Sequence, residues 1–314
     1  MNTSYILQRL VLAIGVILGV TIIVFAIVQA VPGDPARIAM GTSASEEAVE
    51  ARREAMGLND PFFIQYGRWL GDAIQLDFGN SLLTGASVSD QVSQRLPATL
   101  QLAGLALLIG LTIPFPLGII SALRPGSKLD TTASVVSQIG IALPDFWMSI
   151  LLVLVFSSAL DLLPPLGYTP IGENFGEWLS HMILPATTAG LISASILTRF
   201  IRSAMLEVMN KSYIQTARAK GLRERTIVYR HALRNTMITV VTIIGLQVTA
   251  LISSVVVIEI VFDLPGLGKL ALDAVLSRDY PLLQGAVLVM ATLVTLVNLS
   301  VDLLYLWLDP RIDY

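Results

Sequence analysis

Residues 10–31 read LVLAIGVILGVTIIVFAIVQAV, an unbroken run without a charged side chain. A helix needs about 20 mostly apolar residues to cross the hydrocarbon core of a bilayer, and this stretch meets that length. It follows Arg9 and superficially resembles a secretory leader. The apolar part of such a leader is only about 7–15 residues, however, and further apolar runs follow at Ala98–Leu123, Ala133–Leu160, Met182–Ile201, Met237–Phe262 and Leu282–Leu308. The chain therefore reads as an all-α polytopic membrane protein with six transmembrane helices, the first one retained. The run Met182–Ile201 is the least apolar, interrupted by Pro185 and carrying Thr187, Thr188, Ser193, Ser195 and Thr198. Such polar content suits a helix packed inside protein rather than against lipid. Pro114 and Pro144, with Gly110, Gly118 and Gly140, fall inside other runs, and Gly190 inside Met182–Ile201 itself. Breaks of that kind persist in a membrane when neighbouring helices satisfy the freed backbone groups.

Composition agrees. Only 14% of the 314 residues are charged, against about a quarter in soluble domains. The absence of cysteine excludes disulfide scaffolds, thiolate metal sites and cysteine nucleophiles. A formal charge of −3 argues against wholesale nucleic-acid binding.

Orientation follows from Lys and Arg in the short loops. With the N-terminus inside, the inner segments carry thirteen such residues, nine of them from Arg199 to Arg234, and the short outer loops carry two, Lys269 and Arg278. Both termini are expected in the cytoplasm. The segment 32–97 then becomes an extracytoplasmic insertion between the first two helices, with nine acidic and five basic residues. Within it Glu46–Met56 reads as a short surface helix and Pro61–Leu76 as an amphipathic one bearing Phe62, Phe63, Tyr66 and Trp69. With no internal repeat, 1–314 reads as a single polytopic domain.

Catalytic constellations are absent from the sequence. His181 and His231 fall on opposite sides of the expected membrane, and there is no phosphate-binding loop, zinc-protease helix or nucleophile elbow. At about 1.5 Å per helical residue, the acids Asp145, Glu259 and Asp302 lie at different depths and cannot form a dyad. Acids within spans are costly and mark function by default. Asp145, which follows Pro144, and Glu259 are therefore candidates for the translocation path or its gate. For Asp145, a carboxylate meeting a cationic group on cargo and a packing acid bonded to a neighbouring helix both fit.

The inner loop 203–236 holds Ser212-Tyr213-Ile214-Gln215-Thr216-Ala217-Arg218-Ala219-Lys220-Gly221-Leu222 and, later, His231-Ala232-Leu233-Arg234-Asn235. Ser212 is a plausible helix cap, Gly221 a helix end, and a second helix is expected over Arg223–Leu233. Two short helices meeting at a glycine form a projecting element suited to protein docking.

This loop resembles the coupling loop of ABC importer permeases, written E-A-A-x-x-x-G-x(9)-I-x-L-P. Gly221, Ala217 and Leu233 match that pattern. Gln215, Thr216, His231 and Arg234 depart from it in the manner of the dipeptide/oligopeptide/nickel permease family, whose variant is similar to Thr216–Gly221 and His231–Asn235 here. Other pieces are similar to that family's B-type subunit in order along the chain: Pro32-Gly33-Asp34-Pro35, Gly57-Leu58, Asp77-Phe78-Gly79-Asn80-Ser81, Pro265-Gly266-Leu267-Gly268, Arg278-Asp279-Tyr280-Pro281 and Asp309-Pro310-Arg311. Leu76 stands where the family often has glycine, and Asp145 where a neutral residue is more usual. The resemblance implies a type I (MetI-like) importer fold in a bacterial or archaeal cytoplasmic membrane. It implies a second homologous permease, two cytoplasmic ATP-binding subunits and an extracytoplasmic solute-binding protein as partners, with no nucleic acid. It further implies no cofactor on this chain, ATP and Mg being held by the ATPase subunits. Tyr213, Thr216, Ala217, Arg218, Ala219, Lys220, Gly221, His231, Leu233, Arg234 and Asn235 would couple to the ATPase. Di- or oligopeptides are the expected cargo; glutathione and nickel chelates fit the same architecture. On residues alone, an ion-coupled secondary transporter is the rival class.

Overall fold

The computed structural model describes residues 3–30, 33–41 and 43–308. Val31 and Pro32, at the end of the first expected span, and the Asp309-Pro310-Arg311 motif lie outside the described residues. Among the described residues fourteen α-helices follow in order: α1 Thr3–Ala30, α2 Pro35–Met40, α3 Glu46–Ala55, α4 Phe62–Ile74, α5 Val88–Thr112, α6 Pro114–Leu123, α7 Lys128–Ala142, α8 Asp145–Leu152, α9 Phe175–Met209, α10 Ser212–Ala219, α11 Glu224–Thr226, α12 Leu233–Val261, α13 Leu267–Ser277 and α14 Tyr280–Leu308. Wider π-type turns occupy Val153–Ala159 and Ile227–Ala232.

Among the described residues five stretches are long and apolar enough to cross a membrane: Ile6–Ala30, Val88–Leu123, Phe175–Met209, Thr239–Val261 and Tyr280–Leu303. A sixth crossing is available if α7 and the Asp145–Ala159 arm, bent by 115°, count as one span. The span expected over Ala133–Leu160, with Pro144 as a break inside it, is bent at that proline into two arms. Proline disfavours helical geometry at the residue before it; Leu143 is extended (φ −91, ψ 131) and Pro144 becomes the N-cap of α8.

The chain divides into two compact units. One contains Leu100–Leu264 and the last part of the chain from Val297; the other contains Ser4–Thr99 and Pro265–Leu296. In the first unit α9 is central, packed against α6, α7, α8 and α12. Its apolar window is 67% buried, against 11% for that of α1, as its serines and threonines led one to expect. Thr188 and Thr198 return their hydroxyls to the carbonyls of Leu184 and Ala194 at 2.9 and 2.7 Å, so neither is orphaned. Small residues permit the close packing. A methyl group on Gly190 would come within 2.6 Å of Ile109, and one on Gly118 within 2.8 Å of Ile201. Apolar clusters form around Leu102, Met182, Val255, Ile258 and Phe262, and around Leu197, Ile201, Met205, Ile214 and Ile227.

In the second unit α4 lies on α1 through rings. Phe25 sits 5.4, 5.5 and 5.7 Å from Phe62, Tyr66 and Trp69, while Gln29 donates to Gln65 at 2.7 Å. Val88, Val92, Leu267, Leu270, Leu282 and Ala286 fill the core of this unit. Open space flanks Gly15 and Gly19 of α1, so their spacing seats no packing partner among the described residues.

Candidate functional site

The segment from Ser212 to Asn235 forms a compact projection. Ile214, Ile227, Val228 and Ala232 are fully or almost fully buried and anchor it on Ile201 and Met205 of α9. The first helix begins one residue earlier than the sequence suggested. Lys211, not Ser212, holds the cap position without a side-chain bond, and the Ser212 carbonyl accepts the Thr216 hydroxyl at 3.0 Å. Gly221 has φ +75, the left-handed geometry that favours glycine at a helix end. Its N–H donates to Arg218 O at 2.9 Å, and that of Leu222 to Ala217 O at 3.3 Å.

The second helix expected over Arg223–Leu233 is corrected to the short α11 and a π-type turn that runs into α12. Single π segments inside helices are uncommon and gather at functional sites. Two polar contacts close the element. Asn235 Nδ2 donates to Tyr213 Oη at 2.6 Å across its base. Arg218 grips Glu224 across the glycine turn at 2.6 and 3.2 Å. The Arg218 hydrogen bond holds the Glu224 carboxyl below its ordinary range, and the same bond raises Arg218.

What this frame leaves outside is apolar and cationic. Tyr213, Leu222 and Tyr229 are 40%, 41% and 58% exposed. Thr216, Ala219, Lys220, Arg234 and Asn235 are exposed with them, while Ala217, His231 and Leu233 are half-buried. Among the described residues Lys220, Arg223, Arg225, Arg230 and Arg234 form no ion pair.

The two candidate path acids are not brought together with this element. Asp145 is the first residue of α8, half-buried, and its carbonyl accepts the Ser149 hydroxyl at 2.9 Å. Glu259 is fully buried in α12 between core residues Ile258 and Phe262. A buried acid outside the candidate set is Asp130, which is 4% exposed and holds Arg202, 72 positions onward, at 2.5 and 2.9 Å. Its polar neighbours Lys128 and Thr131 give it the look of a loop residue.

In the second unit the scattered motifs meet. Asp279 is buried and accepts the Ser81 hydroxyl and, at 3.1 Å, the Leu82 N–H, joining Asp77–Ser81 to Arg278–Pro281. Asp34 caps α2 through Ala36 N at 3.0 Å, with Pro35 at the first helical position, and takes Arg53 at 2.6 Å. Burial acts to raise the Asp34 carboxyl, but the bonds from Arg53 and Ala36 outweigh it and hold it low. Gly33, Asp34, Leu58, Trp69, Tyr280 and Pro281 line one cavity of about 550 Å³. Leu76 has φ +63 and is exposed. A left-handed conformation there accounts for the family's glycine.

Residues 115–314 match the family model described as binding-protein-dependent transport system inner membrane component, and residues 2–103 match the model of its N-terminal part. The chain is 41% identical over 314 residues to the oligopeptide transport system permease protein AppB of Bacillus subtilis (strain 168), covering 99% of each. It is 36% identical over 331 residues to the dipeptide transport system permease protein DppB of Alkalihalophilus pseudofirmus, again covering 99% of each. Its fold is similar to that in an inward-facing structure of the MetNI methionine ABC transporter, with TM-score 0.57 and 16% identity, covering 69% of this chain and 96% of that one. The chain belongs to the family of binding-protein-dependent transport system inner membrane components, the ABC importer permeases, and is a multi-pass inner-membrane protein.

Proposed function

We propose that this chain forms half of the translocation path of an ATP-driven peptide importer and receives the ATPase stroke through its Tyr213–Asn235 projection. Permeases named for oligopeptides, dipeptides and di/tripeptides align over nearly its whole length, at 41%, 36% and 38% identity, which supports the cargo. The observation that carries the coupling role is the combination of a braced frame and an unpaired surface. Arg218–Glu224 and Asn235–Tyr213 hold the element's shape, while Tyr213, Leu222 and Tyr229 stand exposed among five unpaired cations. Aromatic and aliphatic anchors inside a charged rim are the composition of a docking surface, and the charge suits an acid-rimmed cleft on a cytoplasmic ATP-binding subunit.

On this reading both termini are cytoplasmic and 32–97 is extracytoplasmic, where it meets a solute-binding protein. A homologous second permease completes the path. ATP and Mg bind the two ATPase subunits, and this chain performs no chemistry. Closure of the ATPase pair rocks the bundle between inward- and outward-facing states. Asp145, at the break between α7 and α8, meets the cationic end of cargo, and Glu259 stabilises the gate from within the core.

The test is uptake of a labelled dipeptide into proteoliposomes containing the complex purified through this chain. Accumulation that requires both ATP and the binding protein is the expected result. ATP hydrolysis that responds to the binding protein while peptide is ignored would keep the coupling role and replace the cargo. Absence of any co-purifying ATPase would contradict both.

A further inference from the structure

The first unit holds a cavity of about 370 Å³ between α7 and α9, lined by Ser134, Gln138, Arg199, Phe200, Arg202 and Ser203. Its charges are unevenly compensated. Arg202 is neutralised by the buried carboxylate of Asp130, which receives its Nε at 2.5 Å and Nη2 at 2.9 Å. Asp130 also accepts the Gly126 N–H at 2.9 Å and a side-chain hydrogen bond from Ser134. Arg199 has only a neutral partner, the Gln138 side-chain oxygen at 3.2 Å, and no ion pair among the described residues. The wall thus carries one guanidinium without a carboxylate partner among the described residues, on an exposed side chain in the last third of α9. A cation exposed at the membrane-facing end of a helix meets water or an anionic headgroup. Ser134 is engaged with Asp130, while the Ser203 hydroxyl in the lining adds a donor suited to a multi-oxygen anion.

The surroundings of the cavity narrow the anion. Val135 and Ile139, neighbours of the lining residues on α7, are exposed, as is Phe200 of α9. A guanidinium and a hydroxyl inside an apolar rim match an amphiphile: phosphate oxygens on Arg199, acyl chains along Val135, Ile139 and Phe200. Arginine is the side chain best shaped for a phosphate, and basic pockets between membrane helices take anionic headgroups. We propose that this cavity binds the phosphodiester headgroup of an anionic phospholipid, with Arg199 as the residue that holds it. Arg202, fixed on Asp130, shapes the wall rather than supplying the charge.

The experiment is native mass spectrometry of the importer complex, purified through this chain and titrated in detergent with phosphatidylglycerol, phosphatidylcholine or inorganic phosphate. The wild type is expected to retain phosphatidylglycerol in preference to phosphatidylcholine. Arg199→Gln should weaken that binding about tenfold, the loss expected for a charge-assisted hydrogen bond, and Arg199→Lys should weaken it less. Equal retention of phosphatidylglycerol by the wild type and Arg199→Gln overturns the proposal. So does displacement of the lipid by millimolar inorganic phosphate, which would assign the site to a soluble oxyanion. Should Arg199→Gln fail to assemble, the wild type alone decides, because equal retention of phosphatidylcholine is incompatible with a wall that selects net negative charge.

Discussion

The Ser212–Asn235 projection and the 33–97 segment are both short polar elements attached to membrane-length helices, yet they are held together in opposite ways. The projection is braced locally. Arg218 reaches Glu224 six positions away, and Tyr213 meets Asn235 across 22. The 33–97 segment is secured from far along the chain, with Ser81 and Leu82 bound to Asp279 nearly two hundred positions later. A locally braced element keeps its shape while it is pushed. A segment stapled to a distant helix end is fixed by the completed fold.

That contrast can be broken experimentally, and the largest effect is expected at the long-range staple. Asp279→Ala leaves the Ser81 hydroxyl and the Leu82 N–H without their buried acceptor, at a cost of about 2–4 kcal/mol. Thermal unfolding and limited proteolysis should show the 33–97 segment released first, with uptake lost. Unchanged proteolysis would mean that the segment is held by its apolar core alone. At the locally braced element, Gly221→Asp forces a β-carbon into a φ of +75, which costs about 1–2 kcal/mol. The subunit should still insert, and peptide uptake should fall at least tenfold while ATP hydrolysis continues. Normal uptake would remove the coupling role from this turn.

A smaller and opposite effect is expected at Leu76. Its left-handed φ is strained by about 1–2 kcal/mol, and glycine relieves that at an entropic cost of about 0.5–1 kcal/mol. Leu76→Gly should therefore raise the melting temperature slightly or leave it unchanged. A fall would show that the exposed side chain makes a contact worth more than the strain. The smallest effect concerns pH. Glu224 is lowered by Arg218 in the fold, so its contribution is complete above the ordinary carboxylate range and is lost as pH falls through the lowered value. Because the side chain is 57% exposed, the pair is worth under about 1 kcal/mol. Glu224→Gln should lower ATPase association slightly at neutral pH, to the level the wild type reaches in acid, and so flatten its pH dependence when association is measured across both.

The difference between local and distant bracing also explains what the sequence made legible. The glycine end of α10 and the charged, apolar composition of the projection could be read because their causes lie within a few residues. The central, buried place of α9 could be inferred from its serines and threonines. The roles of Asp77–Ser81 and Arg278–Pro281 could not, since each motif is explained only by the other. Asp130 was overlooked for the same reason, its partner lying three helices' worth of sequence away on α9. The 115° break at Leu143–Pro144 was visible as a proline but not as a turn, because hydropathy alone cannot tell a kinked span from a bent pair. The π-type turn at Ile227–Ala232 replaced an expected helix, and helical periodicity carries no signal for that change of pitch.

Docking of the projection on an ATP-binding subunit is directly measurable, because the chain has no cysteine of its own. Leu222→Cys introduces a single thiol on the exposed surface of the projection; Leu76→Cys places one in the 33–97 segment as a control. Maleimide cross-linking of the intact complex should join Leu222→Cys, and not Leu76→Cys, to an ATP-binding subunit, with a yield that changes when ATP is added. Failure of Leu222→Cys to cross-link in a complex that hydrolyses ATP, or equal cross-linking from Leu76→Cys, would contradict that docking.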